Sequence, residues 1–460
     1  MNDFKQQRMT YDYDLFVIGA GPGGVAAAKR SAQYGVTVAI AEQAQAGGGC
    51  VNRGCIPKKL MVYASAFARL QHDAIAYGWS KSEQRFDWQQ FVTVRDREIE
   101  RLQQVQRQAL QTAGVEFINE RATFVDAHTL AVGDRKITAA KILIAVGGKS
   151  IKPAINGVEH ALTSNEMFHL KALPQQIAIL GGGYIGVEFA SILCGFGCEV
   201  TLINHEHCLL SGFDADLAAA VHRAFDHRGI QTLCNTTIKA IEPVPEGFRV
   251  TLEGGTAATL VVETVLCATG RVPQLDELGL ENAGVEAKTA IAVDDYSRTS
   301  QPHIFAVGDC TNRLQLTPVA KAEGKAVADT VFGQQPQVIH YDYVPSVVCS
   351  DPEAASVGLS EATAQKKLGA AIACYQSEFQ PLFYSLTEQP QQSLIKLVVE
   401  ANTDRVLGIH MVGEHAAEIV QSLAVSLQMG ITKQALERAI GIHPSSAEEF
   451  FSLERSPSTT

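Results

Sequence analysis

Long apolar runs, aromatic side chains and positive charge are all scarce in this sequence. No uninterrupted apolar stretch reaches the ~18–20 residues that a membrane-spanning helix needs. Aromatic residues make up 7% of the 460 residues and charged residues 19%, whereas 46% are hydrophobic. That hydrophobic fraction excludes a mainly disordered chain, and 38 Gly with 16 Pro excludes a collagen-like one. We therefore expect an α/β protein with many tight turns and two to four domains.

The shortage of positive charge limits the partners that the protein can have. The 38 Lys and Arg are outnumbered by 49 Asp and Glu, which gives a net charge of −11 with His neutral. This balance argues against general binding to nucleic acids or membrane surfaces, although it allows a small positive pocket for an anionic substrate. The first residues, MNDFKQQRMTYDYD, contain neither an apolar signal core nor an Arg/Ser-rich transit segment. We expect a soluble, cytoplasmic protein.

Eight of the ten cysteines stand singly in apolar surroundings. For these we expect small buried side chains in a reducing compartment. They are Cys194, Cys198, Cys208, Cys234, Cys267, Cys310, Cys349 and Cys374. Only Cys50 and Cys55 form a local pair.

A βαβ pattern with a glycine-rich turn lies near the start of the chain. The apolar run Leu15–Ile18 is followed by the turn, an Ala-rich helical segment and a second apolar run that ends at Glu42. The turn contains Gly19, Gly21 and Gly24. Such glycines let the backbone approach a pyrophosphate at a helix N-terminus, and an acid 18 residues further on receives ribose hydroxyls. The pattern predicts a dinucleotide site.

The same pattern returns about 160 residues later. An apolar strand leads into a second glycine-rich turn, a helix follows, and a further strand ends at Ile203. The glycines of this turn are Gly181, Gly183 and Gly186. Asn204, His205 and His207 stand where an acid would be expected, so a second dinucleotide is predicted but its type stays open.

Three further segments indicate how the chain is divided. Asp87–Thr112 is polar with helical spacing and predicts a long, solvated helix. Ile142–Ala145 and Val265–Ala268 are typical of strands that end in glycine turns, and each would close a nucleotide-binding domain. We predict four domains, at 1–150, 151–271, 272–338 and 339–460.

The Cys50–Cys55 pair directly follows three consecutive glycines, Gly47–Gly49. In a regular helix, Cα atoms five residues apart are roughly 7–8 Å apart, which is too far for a disulfide. The glycines allow the segment to bend. No second Cys or His pair has the spacing of metal ligands, so no metal site is expected. A reversible, strained disulfide beside a nucleotide fits better, because strain raises the reduction potential.

The pair followed by Ile56-Pro57-Lys58-Lys59 resembles the flavoprotein disulfide reductases, and their glutathione reductase branch in particular. The resemblance covers essentially the whole chain. Its other segments are Thr299–Asp309, Leu316–Pro318 and Ile442–Glu449. Dihydrolipoamide dehydrogenases typically have Ser in place of Lys58. The last cysteine is Cys374, so the C-terminal Cys pair of mercuric reductases and the redox extension of large thioredoxin reductases do not fit.

The resemblance implies a fold class and an assembly. The expected fold is α/β, with two Rossmann-like domains and a C-terminal α+β dimerisation domain. Residues 1–150 would bind FAD and 151–271 NAD(P), while 272–338 would complete the FAD site and 339–460 would form the dimer interface. The expected cofactors are FAD and NADPH, with NADH possible. The expected assembly is a homodimer whose active site is shared between subunits.

The resemblance also implies roles for the reacting residues. Cys55 would be nearest the flavin, at a helix N-terminus whose dipole favours the thiolate, and Cys50 would attack the substrate. His443 and Glu448 would reach the disulfide of the other subunit as an acid–base pair.

Further residues are expected to hold or gate the cofactors. Lys58, paired with Glu188, would support the reduced flavin, and Tyr184 would gate the nicotinamide pocket. Asp309 would meet the ribitol. The other expected cofactor-binding residues outside the glycine turns are Gly49, Thr317, His205 and Arg271.

Substrate preference is expected from the first FAD helix. Glutathione reductases tend to have a small residue and a cation there, whereas trypanothione reductases have an acid and a Trp. This chain has Ala26 and Lys29, and a second cation at Lys325. The alternative is that Lys29 is only a solvated helix residue.

The chain departs from the family pattern at three places. Gly49 replaces the usual Thr beside the first cysteine. His205 and Ser211 stand where NADPH-specific glutathione reductases usually have two Arg. Glu98 and Gln106 stand where many of these enzymes have Tyr near the glutathione.

These observations favour a reductase of glutathione disulfide, and three alternatives stay open. One is an NADH-preferring reductase of a related low-molecular-weight disulfide. A weaker one is dihydrolipoamide dehydrogenase. The third, from a different class, is an NAD(P)-linked flavoprotein oxidase with structural thiols, against which the intact Cys50/Cys55 pair with His443 and Glu448 argues.

Overall fold

The computed structural model describes residues 11–81, 85–255, 258–369, 371–388 and 391–454. Residues 1–10 lie outside the described residues. Most of the N-terminal segment that was expected to lack a targeting signal is among them. The chain forms two units. The first takes in the described residues up to Pro57, Phe91–Ser150 and Arg271–His340, and the second takes in Lys58–Gln90, Ile151–Gly270 and the described residues from Tyr341 onward. The predicted four-domain division stays a prediction.

Helices and strands alternate along much of the chain. The strands within the described residues are β1 (Tyr13–Ile18), β2 (Val38–Ala41), β3 (Glu116–Ile118), β4 (Ala122–Phe124), β5 (Thr129–Val132), β6 (Arg135–Ile144), β7 (Gly148–Ser150), β8 (Gln176–Leu180), β9 (Glu199–Ile203), β10 (Gln231–Leu233), β11 (Thr237–Val244), β12 (Gly247–Glu253), β13 (Thr259–Val262), β14 (Thr264–Cys267), β15 (Arg271–Pro273), β16 (Ile304–Ala306), β17 (Ser346–Val348), β18 (Ala354–Gly358), β19 (Ile372–Phe379), β20 (Ser393–Glu400) and β21 (Arg405–Val412). The helices are α1 (Pro22–Ala32), α2 (Gly48–Arg53), α3 (Cys55–Ala76), α4 (Trp88–Thr112), α5 (Ser164–Met167), α6 (Tyr184–Gly195), α7 (Ala215–His227), α8 (Thr317–Val331), α9 (Glu361–Leu368), α10 (Ala416–Gln428) and α11 (Lys433–Glu437).

A parallel sheet of order β3-β2-β1-β6 forms the centre of the first unit, and β16 pairs in parallel with β6. Strands β5 and β4 extend it in antiparallel fashion. The carboxyl ends of the parallel strands share one edge, where nucleotides bind in such sheets. Gly19 follows β1, Glu42 follows β2 and Asp309 follows β16 at this edge.

Strand β1 is buried on both of its faces. Leu15 and Val17 pack with residues of α1, α4 and α8, whereas Phe16 and Ile18 pack on the opposite side with the antiparallel strands. None of the four is more than 4% exposed. This explains why β1 is a continuous apolar run rather than an alternating one. Each such side chain contributes about 1.5–3 kcal/mol by its burial.

The second unit contains a second parallel sheet, of order β10-β9-β8-β14. A three-stranded antiparallel sheet, β11-β12-β13, is inserted in the chain between β10 and β14. The C-terminal part has a five-stranded antiparallel sheet of order β17-β18-β21-β20-β19. Apolar residues of α10 pack against this sheet. Among the described residues, no helix combines the length and the apolar character that crossing a membrane requires.

Two expectations from the sequence need correction. The helix predicted over Asp87–Thr112 is present as α4, but it is not wholly solvated, because Trp88, Arg95, Ile99 and Leu110 are buried. The eight single cysteines are not all buried. Cys198, Cys267, Cys310 and Cys349 are, whereas Cys194, Cys208, Cys234 and Cys374 are partly exposed.

Candidate active site

The first glycine turn has a backbone that only glycine adopts without strain. Gly19 has a φ of +104°, and a Cβ there would lie 2.5 Å from the backbone oxygen of Ala145. A Cβ on Gly24 would lie 2.0 Å from the backbone oxygen of Gly19. Both contacts are shorter than any real Cβ contact, so these two glycines fix the shape of the turn.

The N-terminus of α1, which follows this turn, fits a diphosphate. Its N-cap is Gly21, and among the described residues no side chain caps it and its first turn contains no acid. Unpaired amides at a helix N-terminus bind anions. Glu42 accepts from the amides of Ala20 (2.9 Å) and Ala44 (3.0 Å), so its carboxylate is held at the mouth of the turn. The structure therefore meets the requirements of the predicted FAD site.

The redox segment is bent at glycines. Gly47 and Gly48 have positive φ values, +102° and +60°. Helix α2 ends at Arg53, Gly54 has φ −155° and ψ −115°, and α3 starts at Cys55. The cysteines therefore lie on two helices instead of one regular helix, as the glycine content of the segment predicts.

Asn52 supports this bend. Its Nδ2 donates to the backbone oxygens of Gln45 (3.1 Å) and Gly48 (2.9 Å), and its Oδ1 accepts from Gln103 (2.8 Å). These contacts fix the glycine loop against α4. The sequence analysis did not single out Asn52, because a lone Asn between two cysteines has no distinguishing pattern.

Cys50 and Cys55 are both free thiols, and a hydrogen bond joins them. The pKa of Cys50 is raised, first by this hydrogen bond and then by burial and by the charge of Cys55. Thr317 and Lys321 oppose the rise. The Cys55 Sγ lies 3.6 Å from the Thr317 Oγ1 at the start of α8. The Cys50 thiol is therefore harder to deprotonate than an ordinary thiol.

Asp309 lies beside Arg271, at 3.9 Å, and burial raises the pKa of its carboxyl. Arg271 also donates to the backbone oxygen of Gly148 (2.6 Å). Buried Glu323 accepts from the Gly308 amide (2.7 Å) and so fixes the turn that carries Asp309. Both predicted residues, Asp309 and Arg271, thus lie in the first unit together with the first glycine turn.

The second glycine turn repeats the geometry of the first. Gly181 has a φ of +115°, and a Cβ on Gly186 would lie 1.9 Å from the Gly181 backbone oxygen. Gly183 is the N-cap of α6, with neither a side-chain cap among the described residues nor an acid in its first turn. Tyr184, the first residue of α6, is 43% exposed. This arrangement also fits a diphosphate.

The residues after β9 differ in accessibility. Asn204 is buried, and its Oδ1 accepts from the Gly182 amide (3.2 Å). His205 is exposed, and its Nε2 lies 3.2 Å from Glu206. His207 and Ser211 are also exposed. His205, His207 and Ser211 are therefore available to a ligand, whereas Asn204 organises the loop.

Half-buried Lys58 and buried Glu188 form an ion pair, as the resemblance implies, with Nζ 2.6 Å from Oε1. The same Oε1 accepts from the Cys349 amide (2.9 Å). Burial raises the pKa of the Cys349 thiol, and the charge of Lys58 opposes that rise. The contact of Cys349 with this pair was missed, because 161 residues separate it from Glu188.

His443 is paired with Glu448. The His443 Nδ1 lies 3.1 Å from both carboxylate oxygens, and its side chain is 83% exposed. The Ser445 amide donates to Glu448 (3.1 Å). This amide and His443 lower the pKa of Glu448. The carboxylate therefore orients the ring and leaves its Nε2 facing outward for proton transfer.

The candidate substrate residues lie on two helices that pack closely. A Cβ on Gly324 of α8 would lie 2.3 Å from the Gly23 backbone oxygen of α1. Arg30 and Asp329 join the same helices through an ion pair of 2.5 Å. The candidate residues are Ala26 and Lys29 on α1, which are half-buried, and Lys325 on α8, which is exposed.

The remaining departures from the family pattern lie at accessible positions. A Cβ on Gly49 would meet nothing within 4 Å, so the missing side chain leaves space. Glu98 is bound to Arg101 through two hydrogen bonds of 2.8 Å on α4. Gln106 lies two turns further along the same helix and is half-buried.

Comparisons with known proteins agree with this geometry. The model of the pyridine nucleotide-disulphide oxidoreductase family matches residues 13–324, and that of its dimerisation domain matches residues 344–453. A glutathione reductase of Nostoc sp. is 50% identical over 97% of this chain and 100% of its own length. One of Burkholderia cepacia is 42% identical over 96% and 98%. A chloroplastic/mitochondrial glutathione reductase of Pisum sativum is 40% identical over 96% and 82%. With these matches the predicted fold class and resemblance are confirmed, and the chain belongs to the pyridine nucleotide-disulphide oxidoreductase family.

Proposed function

We propose that this protein is an FAD-dependent glutathione reductase that uses NADPH. The observation that carries the proposal is the hydrogen-bonded Cys50–Cys55 pair, which follows a dinucleotide turn on a bent glycine segment. Identities of 40–50% to glutathione reductases over nearly the full length support it.

Two sets of residues would hold the cofactors. FAD would lie at the first glycine turn, with the ribose at Glu42, the ribitol at Asp309, and Gly49 and Thr317 near the redox pair. When bound, it would accept two electrons from reduced nicotinamide and make them available to a disulfide. NADPH would lie at the second turn, with Tyr184 at its nicotinamide pocket and His205 toward its 2′-phosphate.

The thiol pair would carry out the exchange with substrate. The Cys50 sulfur attacks one sulfur of glutathione disulfide, forming a mixed disulfide and releasing one glutathione. The Cys55 thiolate then attacks Cys50, which forms the Cys50–Cys55 disulfide and releases the second glutathione. The Cys50 thiol and the Cys55 thiolate are thereby oxidised to one disulfide, while glutathione disulfide is reduced to one thiol, which receives the Cys50 proton, and one thiolate, which takes a proton from water.

A base would assist this exchange, because the hydrogen bond to Cys55 and burial raise the pKa of Cys50. We assign that role to His443 of the partner subunit, oriented by Glu448 of the partner subunit. The ring would take the proton from Cys50 and give it to the departing glutathione thiolate. Ile440 and Ile442, beside His443, are 97% and 80% exposed, and a second copy of the chain would cover such apolar side chains.

Lys58 would place a positive charge near the flavin. Its ammonium is held by Glu188, whose Oε1 also accepts from the Cys349 amide, so its position is fixed by groups that are nearly fully buried. A fixed charge in a site of low dielectric stabilises an anion more strongly than a mobile one.

The substrate pocket would include Ala26, Lys29 and Lys325. The disulfide of glutathione carries carboxylates, and a chain of net charge −11 repels it unless local cations attract it. Lys lacks the bidentate geometry of Arg, so we expect looser binding than in Arg-bearing relatives.

The proposal includes a homodimer in the cytoplasm. The dimerisation-domain match over residues 344–453 supports the dimer. The cytoplasmic location is the prediction drawn from the sequence, whereas one relative carries the words chloroplastic/mitochondrial in its name.

One experiment tests the function directly. The purified protein is assayed with glutathione disulfide, a modified glutathione disulfide and lipoamide, each with NADPH and with NADH. We expect oxidation of NADPH with glutathione disulfide to have the highest kcat/KM. A higher kcat/KM with lipoamide, or turnover of coenzyme by oxygen without any disulfide reduction, would contradict the proposal.

A further inference from the structure

The loop between β9 and α7, residues 204–213, is held by polar contacts at its start. Asn204 is 4% exposed, and its Nδ2 donates to the backbone oxygens of Glu206 (3.3 Å) and Cys208 (2.7 Å). The Leu210 amide donates to the Gly182 oxygen (2.8 Å), which ties the loop to the second glycine turn. The first part of the loop is therefore fixed against the turn that it follows.

Asp214, the residue directly after this loop, caps two helices. One carboxylate oxygen accepts from the Asp216 amide (3.1 Å) in the first turn of α7. The other accepts from the Glu361 amide (3.0 Å) at the start of α9. Asp214 is 1% exposed. One buried carboxylate thus joins the end of the loop to a helix of the C-terminal part of this unit.

Lys396 on β20 matches the charge of Asp214. Its Nζ lies 3.0 Å from Asp214, 2.5 Å from Asp216 and 2.7 Å from Glu361, and its side chain is 1% exposed. Burial by itself would lower the pKa of Lys396, but these carboxylates raise it, so the ammonium stays charged. His410 lies 3.9 Å from Asp214, and burial lowers its pKa, which keeps it neutral.

The last residues of the loop line a cavity of about 210 Å³. Gly212, Phe213 and Asp214 line it, together with the hydroxyl-bearing residues Ser356 and Ser360. Leu209 and Leu210, which precede these residues, are buried, so apolar packing and the ion pair of Asp214 both restrain the end of the loop.

We propose that Lys396 is a positioning residue for NADPH binding. It fixes Asp214, and through Asp214 it fixes the C-terminal end of the loop 204–213, close to Ser211. The inference rests on the proposed function, in which the 2′-phosphate lies at this loop. With 1% exposure, the Lys396 side chain has no surface for a ligand, so it acts through Asp214.

The test is coenzyme affinity of the FAD-loaded protein, measured by equilibrium titration of its fluorescence. We expect Lys396→Met to raise the Kd for NADPH at least about fivefold and the Kd for NADH less than about twofold, because NADH lacks the phosphate. FAD content and the KM for glutathione disulfide should stay unchanged.

Asp214→Asn is the second variant, in case Lys396→Met does not fold. Asn retains an oxygen for helix capping, and Lys396 keeps its two other carboxylates, so this variant avoids an unpaired buried charge. It should raise the Kd for NADPH about two- to threefold. Lys433→Met is the matched control, because Lys433 is also a buried lysine, 3% exposed, with its Nζ 2.5 Å from Glu437. It should lower the Tm and leave both Kd values unchanged.

Three results would overturn the inference while leaving the proposed function intact. They are an unchanged Kd for NADPH in both test variants, an equal loss of affinity for NADPH and NADH, and an equal loss of NADPH affinity in Lys433→Met. The unmodified protein separates the two proposals: if it bound neither coenzyme, the proposed function would itself be wrong, and this inference with it.

Discussion

The two glycine turns of this protein have nearly the same backbone but different side chains at the end of the next strand. Gly19 and Gly181 have φ values of +104° and +115°. The amide of each donates to the backbone oxygen of the last residue of the neighbouring strand, at 2.8 Å. A Cβ on Gly24 or Gly186 would lie 2.0 or 1.9 Å from a backbone oxygen of its own turn. The turn itself is therefore a shared device for receiving a diphosphate.

The difference lies in Glu42 and Asn204, which occupy equivalent positions. Each accepts from the second residue of its turn, Ala20 at 2.9 Å and Gly182 at 3.2 Å. Glu42 is partly exposed and carries a negative charge toward its site. Asn204 is buried and neutral, and its Nδ2 donates to two backbone oxygens of the loop that follows. The comparison indicates that the turn sets where a dinucleotide binds, while the strand-end residue and the following loop set which one.

The largest effect is expected from replacing the third glycine of each turn. Gly24→Ala should abolish FAD binding and all activity, because its Cβ meets a backbone oxygen that has no freedom to move. Gly186→Ala should abolish NADPH binding while FAD stays bound. The measurements are flavin absorbance after gel filtration and fluorescence titration with NADPH.

Two other glycines sharpen this result as controls. A Cβ on Gly49 or Gly183 meets nothing within 4 Å. Gly49→Ala should keep its FAD. Gly183→Ala should fold normally and lose affinity for NADPH only, because the backbone of the turn would lie close to the coenzyme pyrophosphate there. Loss of FAD in Gly186→Ala, or its retention in Gly24→Ala, would contradict the separation of the two sites.

The redox segment follows the first turn only, and its removal gives the next largest effect. Cys50→Ser and Cys55→Ser should each abolish reduction of glutathione disulfide and leave FAD bound, because the thiols exchange with substrate while the glycine turn and Glu42 hold the cofactor. Oxidation of NADPH in the presence of the disulfide measures the loss.

Spectra then separate the roles of the two cysteines. Cys50→Ser should retain a thiolate at position 55 and with it long-wavelength absorption of a thiolate against oxidised FAD. Cys55→Ser should lack that absorption. Substantial turnover of a disulfide by either variant would rule out the relay.

The sequence predicted both βαβ units because strand periodicity, glycine spacing and helix start coincide within about 30 residues, the size of one such unit. It also predicted the pairs Lys58–Glu188 and His443–Glu448, and both are present in the structure. The Lys58–Glu188 pair was found through the resemblance to a known family alone, since nothing in local spacing connects residues 130 positions apart. For His443 and Glu448, which are five positions apart, the nearby acid supported what the resemblance implied.

The sequence did not predict the groups that position site residues from distant parts of the chain. Lys396 and Cys349 lie on C-terminal strands or loops and contact residues more than 150 positions away. A buried Lys inside an apolar strand has no periodic signal of its own, because its partners come from other elements. Arg95 was likewise expected to be exposed, since it is a charged residue in a polar helix, but it is buried.

A tenfold effect is expected from the cations of the first unit. Lys29→Glu with Lys325→Glu should raise the KM for glutathione disulfide at least about tenfold, roughly 1.4 kcal/mol of binding, because two attractive charges become repulsive. Reduction of a neutral synthetic disulfide should change little. Steady-state kinetics with both substrates measure the difference.

The matched control is Lys366→Glu with Lys367→Glu, on exposed positions of α9. It changes the net charge by the same amount, so it shows the effect of overall charge alone. An equal rise in KM for the neutral substrate, or an equal effect of the control variant, would disprove the assignment of Lys29 and Lys325 to the pocket.

The smallest effect is expected from His205 in the loop 204–213. This residue directly follows Asn204, which is the counterpart of Glu42 in the second unit. His205 would offer positive charge to the 2′-phosphate when its ring is protonated, whereas glutamine at this position stays neutral. His205→Gln should therefore raise the Kd for NADPH. Exposed charge pairs contribute at most about 1 kcal/mol, so the rise should be about two- to fivefold.

Fluorescence titrations with NADPH and with NADH isolate this effect. NADH, which lacks the phosphate, should bind the unmodified protein and His205→Gln equally well. If His205→Gln leaves the Kd for NADPH unchanged, the 2′-phosphate is held without His205, and the exposed Ser211 becomes the residue of this loop to test next.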